Sequence, residues 1–344
     1  MATKKSTAMT KKSSSKRSRS AKKTTTPAQR FLRYELVNSA TPGVETSHYI
    51  DLMRDLSRVN RRLMRQGRVV HIKRVTVLST NTMGGIGGGF NPNILQGSVD
   101  LAQQNAGGIT ISTVPDTWVS REAWKRGFRV WNEMNKTATE NLSGNIAGTW
   151  ADFKVYMSNE MRSGTVLSPL DNGGNSYNAG AWDYSELVSP DGTTSADPFQ
   201  VHMLGNHNGN PGAWNSVSLI KSYGESRATV QLTDPSVPSD ASDDPLVNVF
   251  DYGTTVDEVV NNLEAFNDSP PYGLVNYPGD DGNGPKPAVV AQTSIANGSA
   301  VLSGFHSLCG LLEIETRSPI ANDEFGILVE LAVGSYRGIK ADVI

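Results

Sequence analysis

Residues 1–30 decide where a folded domain can begin. They carry ten cations (Lys4, Lys5, Lys11, Lys12, Lys16, Arg17, Arg19, Lys22, Lys23 and Arg30) and no acid, set mostly among Ser, Thr and Ala. Such a segment cannot bury enough apolar surface to offset the entropy of ordering, so it is expected to be a disordered arm. Fully extended, it would reach on the order of 100 Å. Apolar alternation starts at Phe31-Leu32-Arg33-Tyr34-Glu35-Leu36-Val37, which places the expected folded domain over 31–344.

The formal net charge of the whole chain is −2, and that balance conceals an asymmetry. Outside the arm there remain 22 basic and 34 acidic side chains, a balance of −12. Between Ala228 and Pro285 there are eleven acids and no Lys or Arg, which marks an acidic insertion at about 233–286. Met53 to Arg74 holds eight cations against one acid. A chain positive at one end and negative in its body points to a polyanionic partner held at that end.

Among 344 residues, 33 Gly and 17 Pro imply many turns and short elements. With 37% apolar residues, this favours an all-β, mainly antiparallel sandwich over a helical bundle. The single cysteine, Cys309, excludes an intramolecular disulfide and a cysteine-based zinc site. It sits in the apolar run Ser307 to Leu312 and reads as a buried, inert thiol. No run approaches eighteen apolar residues, so no membrane span is expected, and no secretory h-region opens the chain.

A helix is expected over Ser47 to Gln66, with Leu52, Leu56, Val59 and Leu63 on one face. Arg54, Arg58, Arg61 or Arg62, and Arg65 recur two residues out of phase, about 200° round the axis. That places an arginine stripe opposite the leucines, as a candidate extension of the nucleic-acid-binding arm. A second helix is expected over Ser120–Thr139, clamped to a sheet by Trp124, Phe128 and Trp131. A third begins near Thr254 or Thr255. Strands are expected at Val69–Leu78, Ile109–Thr113, Thr149–Met157, Ala181–Val188, Phe199–Leu204, Val217–Tyr223, Ala228–Leu232, Ala288–Ile295, Leu311–Thr316 and Glu324–Val333. A hairpin connection is expected at Lys221–Arg227. Gly84 to Gly89 is a glycine loop with no Lys-Ser/Thr after it, so it is a poor phosphate loop.

No pattern carries catalysis. His-Glu-x-x-His and Gly-x-Ser-x-Gly are absent, and His202 and His207 lack the helical spacing of a zinc pair. No enzymatic activity is expected. Asp243, Asp244, Asp280 and Asp281, in Pro/Gly/Asp-rich loops, could supply oxygen ligands for a structural Ca²⁺, although neither loop has EF-hand spacing.

The basic arm, the aromatic helix with Trp118, Trp124, Phe128 and Trp131, the run Trp150-Ala151-Asp152-Phe153-Lys154-Val155-Tyr156-Met157 and the strand-rich remainder are together a familiar combination. It resembles capsid proteins of small eukaryotic circular single-stranded DNA viruses, the bacilladnavirus-like group in particular. The resemblance implies a single jelly-roll sandwich with inserted helices and an icosahedral shell of many copies. It also implies a viral genome, single-stranded DNA before RNA, lying on the arm. It carries over no catalytic residue. The expected location is the virion, with passage through a host nucleus. Two other readings stay open: a cellular β-rich nucleic-acid-binding nuclear protein and a lectin-like jelly roll.

Overall fold

The computed structural model describes residues 27–79, 107–140, 150–177, 180–189, 197–210, 213–226, 287–295 and 298–344. Several expectations lie outside the described residues: arm positions 1–26, the loop at Gly84–Gly89, and the strand at Ala228–Leu232. So do the helix near Thr254 and the aspartates Asp243, Asp244, Asp280 and Asp281.

Two antiparallel sheets enclose the larger core. In the first, β1 (Phe31–Val37) pairs with β12 (Glu324–Leu331), β12 with β3 (Arg68–Ser79), and β3 with β10 (Ser299–Leu308). A short β15 (Ala341–Val343) takes over the side of β3 that β12 leaves after a bulge at Glu330/Leu331. The second sheet runs β2 (Glu45–Asp51), β11 (Leu311–Arg317), β4 (Gly107–Thr113), β9 (Ala288–Ile295). Strict alternation explains the packing: Leu32, Tyr34 and Leu36 of β1 point inward. They join Val75 and Val77 of β3, Ile109 and Ile111 of β4, Ile314 of β11 and Phe325, Ile327 and Val329 of β12 in one buried cluster.

The chain passes from β10 to β11, and so from the first sheet to the second, in two residues. Both are left-handed, Cys309 at φ 60° and Gly310 at φ 71°. A side chain at Gly310 would press on Val70, Leu52 and Met53 at 3.2–3.3 Å. Cys309 is fully buried, and burial pushes its thiol well above the ordinary range.

A second layer stands beside this pair of sheets. Its sheet has the order β5 (Glu186–Ser189), β6 (Asp197–His202), β8 (Ala213–Ser218), β7 (Asn208–Asn210), with β6 and β8 parallel. The long helix α2 (Trp118–Glu140) and the short α4 (Leu219–Glu225) pack there around Phe153, Val155, Val201 and Met203. Trp124, Phe128 and Trp131 ring Phe153 at centroid distances of 5.6, 6.2 and 6.0 Å. Gly127 belongs at this contact, because a Cβ would stand 3.0 Å from both Leu219 and Phe153. Among the described residues, α1 (Leu52–Asn60), α3 (Asn159–Ser163) and the hairpin β13–β14 (Val333–Gly334, Gly338–Ile339) complete the elements.

The expected all-β single jelly-roll sandwich is therefore corrected. The described chain is a mixed α/β fold with four helices and several open sheets, one of them containing a parallel pair. The reason lies between Trp118 and Glu225, where the apolar residues build a helix-and-sheet layer of their own.

Local expectations shift with it. Residues 47–51, expected to open a helix, belong to β2 and pair with β11 instead, and Asp51 then caps a helix ending at Asn60. Residues 151–155, inside the expected strand Thr149–Met157, join no strand: Gln66 Oε1 accepts from Val155 N at 2.7 Å, Ser185 Oγ accepts from Lys154 N at 2.9 Å, and Ser185 N donates to the Lys154 carbonyl at 2.8 Å. The expected strand Val217–Tyr223 and hairpin at Lys221 are replaced by the end of β8 and by α4.

Candidate nucleic-acid interface

The cations of Met53–Arg74 fall into two groups. Arg54 is buried: its Nε donates to Asp55 at 2.8 Å and its Nη2 to the Leu167 carbonyl. Arg58 lies 3.8 Å from Asp55 and donates to Ser168 at 3.3 Å. Both guanidiniums are built into the core wall, so the expected arginine stripe does not form along one exposed face.

Their surroundings explain why. Tyr34 donates to Asp55 at 2.8 Å, and Asp51 accepts from Met53 N, Arg54 N, Gln66, Trp182 and Tyr184. Burial pushes the Asp51 carboxyl up, against the pull of Arg54, and raises Asp55 to about 6. These are fold-holding groups, and their charges are internally matched.

The second group faces solvent. Arg61 takes a left-handed conformation at φ 51°, which ends α1, and the chain folds back so that Ser57 Oγ accepts from Met64 N at 2.7 Å. Arg61 and Arg62 are thereby left exposed, and among the described residues neither forms an ion pair. Arg65 is also exposed and meets Asp152 at 3.4 Å, while its backbone N donates to the Tyr336 hydroxyl at 3.0 Å.

Tyr336 gathers two more arginines. The Arg68 guanidinium lies 3.6 Å from its ring centroid and that of Arg337 lies 5.9 Å away. Arg337 also donates to the Leu63 carbonyl. Sequence reasoning missed Arg68, Arg337 and Tyr336 as site residues. The available signal was Ser335-Tyr336-Arg337-Gly338 between two short apolar runs, a turn that holds Arg337 at φ 49° and Gly338 at φ 100°.

The root of the arm is fixed beside this group. Gln29 N donates to Asn60 Oδ1 at 2.8 Å and Asn60 Nδ2 returns a bond to Gln29 O at 3.1 Å. Arg30 donates to the Leu331 carbonyl at 3.4 Å and is already part of the fold. Gln29 is therefore held at the last residue of α1, next in sequence to Arg61 and Arg62. Guanidiniums present paired donors that match phosphate oxygens. Lys73 and Arg74 contribute less, since both pair with Glu330, at 2.7 and 2.6 Å.

One described cleft is acidic. A cleft of about 390 Å³ is lined by Tyr49, Glu160, Asn206, His207, Glu313 and Glu315 among others. Burial raises the Glu313 carboxyl, with Glu315 and Glu160 adding to it, and Tyr49 donates to it at 3.1 Å. Such a cleft repels phosphate. His202 and His207 have separate partners: His202 bridges Ser216 and the Asn206 carbonyl, and His207 meets Glu225 at 3.2 Å.

Comparison with family models, with curated proteins and with solved structures found no match. The expectation of an icosahedral capsid subunit is corrected accordingly. It rested on a single jelly roll, the fold is mixed α/β, and no relative ties the chain to shell proteins.

Proposed function

We propose that this protein binds single-stranded nucleic acid through electrostatic contacts, using the cations of residues 1–30 with Arg61, Arg62, Arg65, Arg68 and Arg337 as a surface at their root. The observation that carries the reading is the run of ten cations without an acid, continued by exposed guanidiniums where the arm joins the body. Binding of this kind neutralises phosphates and releases condensed counterions, so it is sequence-tolerant and steeply salt-dependent. It uses no catalytic group.

The test is fluorescence anisotropy of a labelled single-stranded DNA across a salt series, with an RNA of the same sequence in parallel. Full-length protein is compared with a variant carrying Ser at Lys4, Lys5, Lys11, Lys12, Lys16, Arg17, Arg19, Lys22 and Lys23. The slope of log affinity against log salt should fall by several units, at about 0.7 for each phosphate that the arm no longer neutralises. An unchanged slope would remove the arm from the proposal.

A further inference from the structure

On the outer face of the first sheet two histidines stand directly opposite each other, His71 on β3 and His306 on β10. His71 gives its backbone N–H to the Lys340 carbonyl at 3.1 Å, and its own carbonyl accepts from Ala332 at 2.9 Å. Neither group turns toward β10, so the two residues form a non-hydrogen-bonded antiparallel pair. In that register the Cα atoms approach to about 4.5 Å and the side chains lie close. The two rings are 6.0 Å apart between centroids, inclined at 40°.

The His71 ring is oriented by a hydrogen-bonded carboxylate, and a second carboxylate stands near the His306 ring. His71 Nε2 lies 2.7 Å from Asp342 and His306 Nε2 lies 3.4 Å from Asp116. Asp116 is held in turn by Arg121, at 2.6 and 2.9 Å. Among the described residues, neither Nδ1 has a hydrogen-bond partner. A carboxylate on one ring nitrogen fixes the tautomer and leaves the other nitrogen as a lone-pair donor, the support that metal-bound imidazoles ordinarily have.

We propose that His71 and His306 form a two-histidine chelate for a late first-row divalent metal such as Zn²⁺, with Asp342 as the carboxylate that orients His71. Neutral imidazole selects this class of ion over Mg²⁺ or Ca²⁺. Among the described residues no three ligating side chains already surround one point. The two nitrogens are therefore the protein's own ligands, and the other positions are open to water or to an external donor. The two aspartates face Arg121 and Lys340, so the ring nitrogens, and no excess of negative charge, would supply the attraction. Half of the His306 side chain is exposed, so an ion has access from solvent.

The experiment is calorimetric titration of Zn²⁺ into the full-length protein at pH 7.5, with the Co²⁺ absorption spectrum as a report on nitrogen ligation. One ion per chain is expected. His306→Ala should weaken binding at least tenfold. Asp342→Asn should weaken it about tenfold, as loss of an orienting carboxylate does. His207→Ala should leave it unchanged. Melting curves without metal check that the variants fold, and His306→Gln replaces His306→Ala should that variant melt early. Absence of stoichiometric binding, or equal affinity in the His306 variant, would overturn the site.

Discussion

His202 shows how much a single buried side chain can set. It is fully buried between Ser216 and the Asn206 carbonyl, and burial lowers its pKa to about 4. The folded state therefore holds the ring neutral while the unfolded chain protonates it near 6.5. Its contribution to stability is complete above the unfolded value and is lost as pH falls toward 4. Asp55 acts with the opposite sign in part of the same window. Its folded pKa, raised to about 6, makes the folded state more favoured as the carboxyl protonates. The two effects are separated by comparing wild type with His202→Gln. Between pH 7 and pH 5 the stability advantage of wild type should shrink by about 2 kcal/mol, read from paired urea denaturations. A gap that does not change with pH would show that His202 is not held neutral.

At the scale of elements, the two-residue crossing at Cys309-Gly310 carries the chain from one sheet to the other. Gly310→Ala puts a Cβ in a left-handed conformation and against Val70, Leu52 and Met53, and Gly310 O also accepts from Leu52 N at the start of α1. The expected loss is about 2 kcal/mol, seen as a lower urea midpoint with an unchanged slope. Strands with strict alternation are legible in the sequence. β1 begins at Phe31 and β9 spans Ala288–Ile295 as their patterns require, and the aromatic helix lies within two residues of its expected ends. The helix expected over Ser47–Gln66 differs at both ends. Leu and Arg at helical spacing extend past Asn60, but the left-handed Arg61 stops the helix, and pairing with β11 claims residues 45–51. The strand pairing is not local, so spacing alone does not reveal it. For the same reason Arg54 reads as a surface cation, because its partner Leu167 is 113 residues away.

At the scale of the molecule, and among the described residues, exposed guanidiniums gather at Arg61, Arg62, Arg65 and Arg337, and carboxylates line the cleft at Glu313 and Glu315. Replacing Arg61 and Arg62 by Ser should weaken nucleic-acid binding at low salt and reduce the salt slope by about one to two units, with the melting temperature unchanged. An unaltered slope would mean that the body takes no part. The polarity of the chain is visible from residue counts. The patch is not, because Arg68 and Arg337 meet only through Tyr336.

The clasp between Gln29 and Asn60 has a consequence for affinity. If the protein binds nucleic acid as proposed, the clasp makes the two sets of cations a tethered pair, and a strand held by one would be presented to the other at an effective concentration on the order of millimolar, as for short linkers. Their binding constants then multiply as avidity instead of adding.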